Sequence, residues 1–94
     1  MIFVETSGKF VPGQLVATLG ALATIGKTAL LAAYARHLNC DWGDVSKTDW
    51  RENDAALVRG ERLFSAYHNK DDRKFWIITD AARSATTILL PEEY

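Results

Sequence analysis

Apolar residues recur along this chain with two different periods. From Ala21 onwards, Leu22, Ile25, Leu30, Leu31, Tyr34 and Leu38 fall at helical spacing. Gly26 interrupts the series and Thr28 can cap the next segment, which predicts a short helix, a break, and a second helix over Thr28 to His37. Ser46-Lys47-Thr48-Asp49 has the spacing of a capping box, with Asp where Glu is preferred. It predicts a third helix that carries Trp50, Asn53, Ala56 and Leu57 inward or sideways and stops at Gly60, a residue suited to the left-handed turn after a helix. Beyond that glycine the period changes. Arg62 to His68, Lys74 to Thr79 and Ala85 to Leu90 are rich in β-branched and aromatic residues and are separated by polar turns, as in a three-stranded antiparallel meander. Phe75, Ile77, Ile88 and Leu90 can share a face with Leu63 or Phe64, and Pro91 ends the last strand. Upstream, Met1 to Gly13 reads as an irregular lead-in ending in a Pro12-Gly13 turn, and Gln14 to Thr18 as a short strand stopped by Gly20. The expected fold is therefore α+β, in which an N-terminal short strand and two to three helices pack on one face of the C-terminal meander.

Composition narrows the possible functions. At 94 residues, with 48% hydrophobic and 24% charged side chains, the chain can form one ordinary core and is expected to be a single domain over 1–94, so any function sits on its outside. A net charge of −1 provides no basic face, and direct nucleic-acid binding is not expected. Cys40 is the only cysteine, which excludes an internal disulfide and points to a reducing, cytoplasmic compartment. Gly20, Gly26, Lys27, Arg36 and His37 interrupt the apolar stretch from Leu15 to Leu38, so neither a membrane span nor an export signal is expected.

Three motifs bear on chemistry. Ala21 to Thr28 stands one residue away from the phosphate loop G-x-x-x-x-G-K-T, but Ala21 occupies the first glycine's place and a meander is not the parallel sheet such loops sit on. No nucleotide cofactor is expected. Cys40 with His37 could form a thiol–imidazole pair, giving a small cysteine-dependent hydrolase as an alternative, although no orienting group or oxyanion site stands at recognisable spacing. One cysteine and two histidines without close spacing predict no metal site. Between 41 and 54, Asp41, Asp44, Asp49, Glu52 and Asp54 outnumber Lys47 and Arg51, with Trp42 and Trp50 interleaved. Carboxylates around large aromatics can steer toward and anchor on a basic protein surface, or the tryptophans can close the core while the acids solvate a helix.

The blocks G-Q-L-V-A-T-L-G-A-L, A-R-H-L-N-C-D-W-G-D-V, E-N-D-A-A-L-V-R-G-E-R-L-F-S-A-Y, F-W-I-I-T and R-S-A-T-T-I-L-L-P-E-E-Y, spread over about residues 13–94, resemble a family of small proteins of plasmids, integrative elements and prophages. The family carries the label "plasmid-related protein" or type I restriction endonuclease modification subunit. The second label does not suit a chain with no room for a cofactor domain and a target-base pocket. Relatives carry Thr-Pro-Gly after the first strand and Asp before Arg-Ser, where this chain has Leu19 and Ala82, which leaves Arg83 freer and a further candidate contact. The resemblance implies a non-enzymatic inhibitor of a host defence complex, of the anti-CRISPR type, working in the bacterial cytoplasm. Its partner would be a host protein or ribonucleoprotein, with a structural or homodimeric accessory module as the alternative.

Overall fold

A computed structural model describes residues 8–94; the lead-in expected over residues 1–7 lies outside the described residues. In chain order come β1 (Gln14–Ala17), α1 (Leu19–Ile25), α2 (Lys27–Leu38), α3 (Lys47–Arg59), β2 (Leu63–His68), β3 (Lys74–Thr79) and β4 (Ala85–Leu89), with a 3-10 turn at Pro91–Glu93 after them. The fold is α+β.

Local chemistry accounts for the helix ends. Thr18 caps α1 by accepting from the Ala21 amide, and the Ser46 hydroxyl caps α3 by accepting from the Asp49 amide. Gly60 closes α3 at φ +73°. Gly20 does not stop the first strand as its position suggests: β1 ends at Ala17, and Gly20 lies within α1 against the Glu93 carboxylate, which also accepts from the Thr18 hydroxyl.

The three C-terminal strands form the expected antiparallel meander, but the sheet has a fourth member. Its order is β1-β4-β3-β2, and β1 runs parallel to β4 with Val16 opposite Thr87. A four-residue strand has no adjacent partner in sequence, and three helices and two strands intervene before β4 returns beside it, ample length for the crossover that a parallel neighbour requires. The sheet is therefore mixed.

Alternation along the strands sorts side chains between two faces. Leu63, Ser65, Tyr67, Phe75, Ile77, Thr79, Thr86 and Ile88 form the buried face, so Leu63 and not Phe64 is the inward residue at the start of β2. Ala21, Ile25, Leu30 and Ala33 of α1 and α2 pack against this face with Tyr67, Phe75, Ile77 and Ile88. A second cluster of Trp42, Ala56 and Leu63, with Phe10, Val45, Trp50 and Leu57 around it, joins α3 to the same layer.

The outer edge of β2 is closed in two places. Asn53 on α3 accepts from the Phe64 amide (3.0 Å) and donates to the Phe64 carbonyl (2.6 Å), as a neighbouring strand would. One step along, Ala66 donates to the Trp42 carbonyl and accepts from the Asp44 amide. Gly43 stands between those two residues at φ +76°, and a side chain there would run into the Ala66 carbonyl. Asn53→Ala is expected to lower stability by about 2 kcal/mol, since two bonds go and two backbone groups lose their partners. A urea melt with an unchanged slope and a lowered midpoint checks this.

Candidate functional site

The residues singled out between 41 and 54 do not form one patch. Trp42 lies in the core at 0% exposure, stacked on Phe10 (6.4 Å between ring centroids), edge-on to His37 (5.5 Å) and donating Nε1–H to Asp54 Oδ1 (3.0 Å). It cannot anchor a partner, because a large indole in so small a domain is needed where it removes most apolar surface from water. Trp50 is half-buried against the same cluster.

The acidic residues fall into two groups. Asp41 is paired: the Arg36 Nε donates to its Oδ2 at 2.7 Å and Nη2 to its Oδ1 at 3.2 Å, and that guanidinium holds the carboxyl below its usual range. Asp44 pairs with His68 Nδ1 at 2.7 Å, which raises the imidazole above its ordinary value. Asp49 and Glu52, by contrast, line an open cleft of about 450 Å³ between α3 and β2. Asn53 and Ala56 also line it, and Glu61, Arg62 and Phe64 complete the wall. Three carboxylates and one guanidinium line the cleft; Arg62 is itself turned toward the Tyr94 hydroxyl (2.6 Å) and Glu61 stands 3.9 Å from the Arg59 guanidinium, so the acidic character rests chiefly on Asp49 and Glu52.

Phe64 belongs to two surfaces. Besides lining the cleft, it packs edge-on to Trp76 (5.0 Å) on the outer sheet face, where Trp76 in turn meets Tyr94 (5.6 Å). Among the described residues no helix covers this face, and Phe64, Ala66, Trp76, Ile78 and Thr87 on it stay only half-buried. Glu61, Phe64 and Trp76 were not legible as site residues. Their grouping with Asp49 and Glu52 depends on the outward phase of β2 and on how α3 lies along its edge.

Arg83 is not free. It sits in the left-handed region (φ 57°) and donates to the carbonyls of Glu61 (2.7 Å) and Asp80 (3.0 Å), with its guanidinium over Phe10. The loop is built by Asp80, whose carboxylate accepts from the Ser84 amide and hydroxyl, so an acid at position 82 is not required to hold the arginine.

The thiol–imidazole pair is not assembled. Both ring nitrogens of the buried His37 are occupied, Nδ1 by Ser65 Oγ (2.5 Å) and Nε2 by Thr79 Oγ1 (2.8 Å). The chain continues from Thr79 to Thr86 (2.7 Å) and from Thr86 to the Pro12 carbonyl (2.7 Å). That carbonyl only accepts, which sets the protons as far as the ring: Thr86 donates to Pro12, Thr79 to Thr86 and His37 Nε2–H to Thr79, while burial, which disfavours the charged ring, leaves Nδ1 to accept from Ser65. The histidine is thus a neutral, fixed tautomer. Burial pushes the Cys40 thiol up, away from thiolate character.

The phosphate-loop resemblance dissolves in the same way. Residues 21–25 are helical, the Ala21 and Leu22 amides go to Thr18, and the Gly26 amide goes to the Leu22 carbonyl, so the stretch that would wrap an anion is a helix, and only the first turn of α2 after Gly26 keeps uncapped amides. Among the described residues no three His, Cys, Asp or Glu side chains converge as metal ligands, and no helix is long and apolar enough to cross a membrane.

In comparisons with known proteins, no family model, no curated protein and no solved structure matches the chain.

Proposed function

We propose that this chain is a non-enzymatic protein-binding module of a mobile genetic element that inhibits a host defence complex of the anti-CRISPR type in the bacterial cytoplasm. The supporting observation is Phe64, which joins an acidic cleft to an uncovered aromatic sheet face. A basic protein surface, such as one that grips nucleic acid in a defence effector, suits both parts. Its cations meet Asp49, Glu52 and Glu61, while an apolar or aromatic side chain packs on Phe64 and Trp76. The anchoring role expected for Trp42 passes to Trp76. The mobile-element assignment rests on the resemblance in the blocks ending T-T-I-L-L-P-E-E-Y.

Native pull-down with mass spectrometry identifies the complex, and binding kinetics with the purified complex test the surface. Asp49→Asn combined with Glu52→Gln and Glu61→Gln is expected to slow association and flatten its dependence on salt, because exposed charges act over about 8 Å at physiological ionic strength. Trp76→Ala is expected to raise the dissociation rate roughly 30-fold, the equivalent of about 2 kcal/mol for a lost anchor. If both variants keep a native melt and bind the effector with parental rates, the cleft and face are not the interface.

A further inference from the structure

The two edges of the sheet are treated differently. The β2 edge is closed by Asn53 and by the Trp42–Asp44 backbone, whereas β1 has no neighbour on its outer side among the described residues. The amides of Gln14 and Thr18 donate inward to Ser84 (2.9 Å) and Ile88 (3.0 Å), so by alternation the amides and carbonyls of Leu15 and Ala17 point outward. An open strand edge of this kind is a template for another strand unless charge or proline blocks it. β1 itself holds neither: residues 10–26 contain no Asp, Glu, Lys, Arg or His, Pro12 precedes the strand, and the carboxylate beyond its end, Glu93, is held by the Thr18 hydroxyl and the Leu90 amide. Of the eight exposed large hydrophobic residues among those described, five (Val11, Leu15, Val16, Leu19 and Leu22) lie on β1 or within a few residues of it.

We infer that β1 pairs antiparallel with β1 of a second copy of this chain about a two-fold axis at Val16. A second copy suits this edge because a neutral segment meets itself without like-charge repulsion. The two-fold also lets the outward groups satisfy one another. Leu15 of one copy exchanges both backbone hydrogen bonds with Ala17 of the other, and Val16 faces Val16 as the close, non-hydrogen-bonded pair. Val16 stands on the outer face in register with Thr87, Ile78 and Phe64. Pairing therefore makes one eight-stranded sheet whose two aromatic faces are continuous.

The full chain with Cys40→Ser and Val16→Cys tests the geometry, since only a two-fold at this residue brings the new thiols together. Oxidation is expected to convert it to a covalent dimer, while Val58→Cys in the same background, more exposed but on α3, stays monomeric. Sedimentation of the parent at micromolar concentration is expected to give twice the monomer mass. Val16→Lys is expected to give the monomer mass with an unchanged melt at high dilution, because it sets two ammonium groups across the axis. A parent that sediments as a monomer and a Val16→Cys chain that does not cross-link overturn the inference. A dimer unaffected by Val16→Lys places the interface elsewhere and also overturns it. Neither outcome bears on the acidic cleft.

Discussion

Trp42→Ala is expected to cost about 3–5 kcal/mol, enough to leave the domain largely unfolded at physiological temperature. The indole is fully buried and holds three elements together: Phe10 from the N-terminal approach stacks on it, His37 of α2 meets its ring, and Asp54 of α3 accepts its Nε1–H. Its own carbonyl accepts from the Ala66 amide at the β2 edge, so a cavity here also loosens that closure. Trp42→Phe keeps an aromatic ring against Phe10 and loses mainly the bond to the exposed Asp54, so a much smaller loss is expected. Urea midpoints of the two variants check the difference. Equal midpoints for parent and Trp42→Ala would return this residue to the surface as a candidate anchor.

Acid is expected to lower the protein's stability in a window set by His37. Burial, reinforced by the nearby charge of Arg83, lowers the imidazole from 6.5 to about 4. Proton uptake sets the sign. Below 6.5 the unfolded chain binds a proton at this residue that the folded chain refuses, so the stabilisation is complete above pH 6.5 and declines as the pH falls toward 4. Its full extent is about 3 kcal/mol at the usual conversion of pKa to free energy. Protonation also requires Nδ1 to donate where it now accepts from Ser65, reversing the bond at the head of the chain that ends on Pro12.

The other shifted groups act elsewhere. His68, raised by Asp44, contributes stability that is present below 6.5 and fades as pH rises through its folded value. Asp41 and Asp80, lowered from 3.8 by Arg36 and Ser84 respectively, lose their contributions only below that value. Stability measured from pH 7 to pH 4 is therefore expected to fall in the parent and to stay nearly level in His37→Gln. A parent with no slope between pH 6.5 and 4 rules out a buried neutral histidine.

Much of the architecture was legible in the sequence because it is decided over a few residues. Ser46 and Gly60 bound a helix by hydrogen bonding and backbone freedom within one turn of themselves, and both ends stand where the pattern puts them. Gly26 separates two helices for the same local reason, and the period-two runs after Gly60 form hairpins with their immediate neighbours. Where the decision is non-local the sequence was silent. Val16 finds Thr87 only after the chain has folded back across the whole domain, so the parallel β1–β4 pair has no local signature.

The candidate site divides along the same line. Acid and tryptophan are close in sequence between 41 and 54, but which of them meet solvent depends on which way each side chain is turned in the packed domain. Packing turned Trp42 inward, paired Asp41 with Arg36 and Asp44 with His68, and placed Asp49 and Glu52 beside Glu61 and Phe64. A one-residue choice of phase in β2 put Leu63 in the core and Phe64 on the surface, since neighbouring strand residues face opposite sides. That alternation allows either assignment from sequence. The helix layer on one face of the sheet selects between them, because only that face can remove Leu63, Ser65 and Tyr67 from water.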